Sequence, residues 1–218
     1  MGGVLLNKMT SLTESFSSKI AYSLCESKDK SSDDYQVLKY GVFVFLHVSL
    51  AAIFTIIFGI LTNTVYEIVV ISLMSGLMKR NSGGVHCSSA NRCTITGIIV
   101  SYIFCIIGKL LLNIKYPALY LIIIAILIHA FIILYKKCPV PSENKPLKKE
   151  ATRNKLRRNA FSIYFICVLI FGYNLLNLKF NSLILFIILG LYMQTLSLTI
   201  IGSEFILFID RALLKFKI

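Results

Sequence analysis

Apolar residues in this chain come in long runs separated by shorter polar stretches. Six runs span roughly residues 41–62, 64–79, 95–114, 117–135, 160–178 and 181–201. Most approach the ~20 residues that a helix needs to cross a ~30 Å hydrocarbon layer. The run at 64–79 is short, and a tilted, interfacial or re-entrant helix fits it as well as a span. Upstream, Leu5, Met9, Leu12, Phe16, Ile20 and Leu24 recur every three to four positions, with Lys8, Ser11, Glu14, Ser18 and Lys19 on the other side. This pattern predicts an amphipathic helix lying in the membrane interface. Residues 26–39 read as a charged linker, and the tail from 202 to 218 as a short amphipathic segment.

The expected fold is therefore all-α: a polytopic membrane protein of about six hydrophobic helices, one or two of which could be re-entrant. Its expected parts are residues 1–39 (amphipathic helix and linker), 40–201 (transmembrane domain) and 202–218 (cytoplasmic tail). Composition agrees, with 56% hydrophobic residues and a mean hydropathy of +0.77. A soluble domain of this length would need a polar shell that such a chain lacks.

Charge then sets orientation. The net charge is +13, from 23 Lys and Arg against 10 Asp and Glu. These cations sit in the connections rather than in a basic stripe interleaved with aromatics, so nucleic acid is not the expected partner. Lys8, Lys19, Lys28, Lys30 and Lys39 precede the first run, and Lys79, Arg80 and Arg92 follow the second. Nine more lie between Lys136 and Arg158, and Arg211, Lys215 and Lys217 end the chain. The three other connections hold only Lys115 and Lys179. Excess Lys and Arg marks cytoplasmic loops. Both termini are thus expected in the cytoplasm, with six spans or with four spans and two re-entrant segments. The basic loops are also suited to an anionic inner leaflet. Cys25, Cys87, Cys93 and Cys138 fall on that reducing side, and Cys105 and Cys167 lie in apolar runs, so no disulfides are expected.

The densest reactive segment follows the second run and reads MKRNSGGVHCSSANRCT. A cysteine attacks a carbonyl as its thiolate, and a histidine can take the proton or pair with the thiolate. His86 and Cys93 are candidates for such a pair. Gly83 and Gly84 allow backbone conformations closed to other residues, and close approach by a substrate. On one straight helix the offset from His86 to Cys93 would separate them by ~10.5 Å. The segment must therefore bend, or His86 must precede a helix that carries Cys93. Ser88 or Ser89 suits the N-cap of that helix. The helix dipole and nearby Arg92 would then both favour the Cys93 thiolate. The blander reading is a loop with an interfacial histidine and filler cysteines. A metal site would have only three ligands in His86, Cys87 and Cys93, so none is expected.

The polar residues His47, Glu67, Lys109 and His129 lie in or near the runs. They suit a rival reading in which the chain is a transporter or peptide-export component with a proton relay. Interfacial snorkelling explains Glu67 and Lys109 without one. A third reading is a structural membrane protein whose basic loops only hold topology. In the segment KKCPVPSENKPLKKEATRNKLRRNA, the prolines 139, 141 and 146 keep a loop from becoming helix, and the Lys148–Arg158 run can anchor to anionic lipid.

Together the two segments resemble the AgrB (accessory gene regulator B) family of membrane cysteine endopeptidases. The resemblance rests on Arg80 and GGVHCSSANRC, in which His86 and Cys93 match the family's His-x6-Cys pair. It rests also on PVPSENKP, in which Asn144, Lys145 and Pro146 match a cytoplasmic-loop motif. Size, hydropathy and motif order agree along nearly the whole chain. Cys87 is a rival thiol to which the resemblance gives no role. The resemblance implies a bacterial cell-membrane enzyme whose transmembrane domain is catalytic. In it Cys93 cleaves the C-terminal tail from an AgrD-like precursor peptide through a thioester. A Cys or Ser of the peptide then closes a thiolactone or lactone ring, giving a quorum-sensing peptide. Arg80, Gly83, Gly84, Ser88, Ser89, Asn144, Lys145 and Pro146 become candidates for substrate binding or oxyanion stabilisation. Asn91 and Glu143 are candidates to orient His86. The chemistry needs no metal or organic cofactor, and a homodimer stays open.

Overall fold

A computed structural model of the chain describes residues 2–25, 32–141, 149–177 and 181–215, with side chains in the first helix described from residue 13 onward. Eight helices follow one another among the described residues: α1 (Gly2–Leu24), α2 (Asp33–Thr62), α3 (Val65–Ser82), α4 (Ala90–Leu111), α5 (Tyr116–Lys137), α6 (Glu150–Leu176), α7 (Ser182–Leu196) and α8 (Ile200–Lys215). The all-helical fold expected from the sequence holds, and the six apolar runs form α2 to α7. α2, α4, α5 and α6 are each long and apolar enough to cross a membrane. α7 and α8, bent by 89° at their junction, make a fifth candidate span if taken together.

Among α2 to α7, α3 and α7 are the short members. With 18 residues and 15 residues, they reach only ~27 Å and ~22 Å at 1.5 Å per residue, less than a hydrocarbon layer. The last apolar run stops early because hydroxyls compete for its carbonyls. Ser197 Oγ donates to the Gln194 carbonyl (2.7 Å) and Thr199 Oγ1 to the Leu196 carbonyl (2.7 Å). Thr199 Oγ1 then accepts from Gly202 N (3.1 Å) and starts α8 on its new axis. α7 tolerates its shortness because protein covers it: Leu185, Ile188 and Leu191 are fully buried. Its closest neighbour is α3, where a Cβ on Gly190 would stand 2.6 Å from the Ile71 carbonyl oxygen.

The helices from α2 to α7 alternate in direction. At one end Lys109 Nζ pairs with Glu67 (3.3 Å) and donates to the Asn63 carbonyl (3.1 Å). The end of α3, the starts of α4 and α6, the end of α5 and α8 meet at the other. There Val140 N donates to the Ser82 carbonyl (2.9 Å), and Arg157 donates to the Tyr135 carbonyl (3.1 Å). The described parts of the basic connections gather at this second end.

Two segments differ from the sequence reading. α1 packs on α2 through Thr13, Ser17, Ala21 and Cys25, which are buried, while Phe16 and Leu24 point outward. Small residues let the helices approach closely, and the larger apolar side chains are left for a membrane surface. Residues 150–158, expected in a loop, are the first turns of α6. The prolines that break helices all lie before them, and Glu150 stands in the first turn, where an acidic group favours a helix start.

Candidate functional site

The site is built on the connection between α3 and α4. Gly83 and Gly84 have φ of 72° and 125°, a region that L side chains rarely adopt. They turn the chain sharply at the end of α3. The close approach they permit is taken up by the protein itself. A Cβ on Gly83 would collide with the Val140 carbonyl oxygen. Gln194 of α7 donates from Nε2 to the Gly83 carbonyl (2.9 Å) and to Ser82 Oγ (3.2 Å).

Beyond the turn, Ser89 is the N-cap of α4. Its Oγ accepts from Arg92 N (3.2 Å), and its carbonyl accepts from Cys93 N (2.9 Å). Cys93 therefore stands in the first turn of a helix, as the spacing predicts, where the positive end of the dipole favours an anion. His86 lies before the helix and bends back to it. From this irregular loop His86 and Cys87 both stand beside the Cys93 sulfur, where hydrogen bonding from them favours its thiolate. Lys79 Nζ, from the last turn of α3, approaches the same atom at 3.9 Å. Cys93 is half-buried and His86 exposed, so both can be reached from outside.

The two thiols are unequal. The hydrogen bond to Cys93 pushes the Cys87 thiol far above its ordinary range, and burial adds to the rise. Cys87 thus keeps its proton and donates it, while Lys79 and His86 face Cys93 with positive charge or hydrogen-bond capacity. The arrangement suits a Cys93 thiolate with Cys87 as its donor.

Arg92 does not play the part its position suggests. Its Nε pairs with Asp210 of α8 at 3.0 Å, and its terminal nitrogen donates to Ser88 Oγ at 2.7 Å. Asp210 also accepts from Ser88 N (3.2 Å) and Ser88 Oγ (2.6 Å). The hydroxyl proton of Ser88, an oxyanion candidate by sequence, is thereby committed to Asp210. Arg80 is exposed in the last turn of α3. Asn144, Lys145, Pro146 and Glu143 lie outside the described residues, although Val140, just upstream, is bridged to Gly83.

The remaining polar candidates pair locally rather than in a chain. His47 Nε2 is 3.2 Å from Thr94 Oγ1, Glu67 holds Lys109, and His129 Nδ1 is 2.8 Å from the Tyr192 hydroxyl. Thr13, His47, Asn91 and Thr94 are the polar lining of an otherwise apolar cavity of about 500 Å³ bounded by α1, α2 and α4. Asn91 faces that cavity. Among the described residues no three His, Cys, Asp or Glu side chains converge to hold a metal ion.

Sequence reasoning missed Lys79, Gln194 and Asp210. By sequence, Lys79 is only a topology charge. Asp210 did carry a signal, since it is one of only two acids in an apolar, basic tail and needs a partner if buried.

The accessory gene regulator B family model matches residues 17–198. The chain is 27% identical over 207 residues to a protein described as AgrB-like from Clostridium perfringens strain SM101, covering 91% of this chain and 97% of the relative. It is 26% identical over 208 residues to a second protein described as AgrB-like from Clostridium perfringens strain 13, with the same coverage of 91% and 97%. No solved structure matches the chain significantly.

Proposed function

This chain belongs to the accessory gene regulator B family, and from that premise we propose that it is a membrane cysteine endopeptidase that processes an AgrD-like precursor into a cyclic quorum-sensing peptide. The observation that carries the reading is the convergence of Lys79, His86 and Cys87 on the one sulfur of Cys93.

In the proposed reaction the Cys93 thiolate attacks the scissile carbonyl carbon and forms a C–S bond. The carbonyl electrons move onto oxygen. When they return, the C–N bond breaks. His86, as the imidazolium, gives its proton to the departing amine, and the C-terminal tail leaves. The thioester is then attacked by a side-chain thiol or hydroxyl of the peptide, whose proton passes to His86. The ring closes and Cys93 leaves as thiolate. Exchange of one thioester for another is nearly balanced, whereas hydrolysis runs strongly downhill, so water must be kept from the acyl-enzyme. A half-buried sulfur at the end of a helical membrane bundle supports that requirement.

The test is co-expression of each variant with the precursor, followed by mass. Cys93→Ala and His86→Ala should each abolish cleavage in protein that is normally inserted, and their effects should not add. Full cleavage by Cys93→Ala would overturn the proposal. The transporter reading has weaker support, because each polar residue it would use has a local partner.

A further inference from the structure

On the peptidase reading, we propose that Asp210 is a positioning residue for the catalytic segment, which makes the terminal helix α8 a working part of the site. Asp210 is 5% exposed, although charged and carried on a helix whose Ile200, Ile201, Phe205 and Phe208 face outward. A buried carboxylate is costly unless its oxygens are satisfied. Here one oxygen accepts from Ser88 N (3.2 Å) and Ser88 Oγ (2.6 Å), and the other accepts from Arg92 Nε (3.0 Å). Arg92 closes the circuit by donating to Ser88 Oγ at 2.7 Å.

The two residues held by this one carboxylate bracket the bend that the chemistry needs. Ser88 lies two positions after His86, and Arg92 lies immediately before Cys93. Asp210 thus ties the loop that carries the histidine to the helix turn that carries the sulfur. Its hydrogen-bond partners are Ser88 and Arg92, not His86 or Cys93 themselves. It also occupies the Arg92 guanidinium, which leaves Lys79 as the cation on the Cys93 sulfur.

The consequence is specific. Without the carboxylate, His86 and Cys93 lose their fixed separation while the substrate-binding surface stays in place. Misplacement of reacting groups by about 1 Å can cost on the order of 100-fold in rate. Asp210→Ala should therefore lower kcat roughly 10- to 100-fold with little change in KM. Asp210→Asn keeps an acceptor for Ser88 but loses the ion pair, and should fall between. Asp210→Ala combined with Ser88→Ala should be no worse than Asp210→Ala alone, because both open the same clamp.

Two rates are measured per inserted molecule in native membranes: precursor cleavage, and alkylation of Cys93 by iodoacetamide across pH. The expected result is slower cleavage and an altered pH profile of alkylation in Asp210→Ala. Loss of protein alone would change neither specific rate. If Asp210→Ala does not insert, Ser88→Ala and Asp210→Asn decide by the same readouts. Wild-type specific rates in these variants, or losses that multiply in the double variant, would overturn the proposal. Cys93→Ala in the same membranes separates the two ideas: cleavage by that variant sinks the peptidase reading. A dead Cys93→Ala beside a fully active Asp210→Ala sinks only the positioning role.

Discussion

Around the Cys93 sulfur the chain collects a cation, an imidazole and a second thiol. Each contributes differently, and each can be removed singly. Lys79→Ala removes the charge 3.9 Å away. An opposite charge at such a distance shifts an acid's titration by about a pH unit or more. The pH profile of Cys93 alkylation should therefore move to higher pH in Lys79→Ala by about that much, and Lys79→Arg should restore most of it. An unchanged profile in Lys79→Ala would show that the lysine is only a topology charge. For Cys87, the sign follows from its raised pKa. A thiol raised in this way stays protonated until pH climbs past the raised value, so it is unreactive at neutral and mildly alkaline pH. Limited iodoacetamide at pH 7 to 8 should label Cys93 and spare Cys87, read by peptide mass. Cys87→Ser keeps an O–H donor and should retain most activity. Cys87→Ala loses one hydrogen bond, worth ~1 kcal/mol, and should cost about fivefold. A dead Cys87→Ser would instead make Cys87 part of the chemistry.

Elements were legible in proportion to how much of their character is local. The apolar runs, an N-cap at Ser88 or Ser89 and the conformational freedom of Gly83–Gly84 all follow from neighbouring residues; the structure takes Ser89 as the cap. The bend between α7 and α8 was not, because it depends on Ser197 and Thr199 outbidding the helix for its carbonyls. Lys79 and Asp210 were hidden for a different reason. Both are brought to the site by elements distant in sequence, and in a basic, apolar chain a lone charge reads first as a membrane-surface group. α1 shows the same limit, since its apolar stripe was visible but its packing face of Thr13, Ser17, Ala21 and Cys25 was not. Gly83 gives a direct test at this scale. A Cβ there meets both a strained φ and the Val140 carbonyl. Gly83→Ala should destabilise the α3–α4 turn by about 1–3 kcal/mol. Thermal unfolding in detergent would show the loss. A variant as stable as wild type would mean the turn can relax.

At the scale of the whole molecule, the described parts of the basic connections meet at one end of an alternating helical bundle, the end that also holds Cys93. We expect that end to face the cytoplasm, together with both termini. A cysteine introduced at 142–148, in a background without accessible native cysteines, should resist an impermeant thiol reagent on intact cells. Strong labelling before permeabilisation would reverse the orientation. Nine Lys and Arg against two acids between Lys136 and Arg158 also suit an acidic precursor tail. Exposed ion pairs contribute only ~0–1 kcal/mol each. Neutralising Lys149, Arg153, Lys155 and Arg158 together should therefore weaken precursor binding where a single change does not. Unchanged binding by well-inserted protein would leave anionic lipid as the partner of this segment. In the proposed mechanism Cys93 carries the acyl group, which the position of the trapped adduct measures directly. Membranes with enzyme and precursor are quenched in acid, digested under conditions that preserve thioesters, and mapped by mass. The expected adduct is the N-terminal part of the precursor attached to the peptide containing Cys93. An adduct on Cys87, or cleavage with no enzyme-bound thioester at any time point, would contradict it.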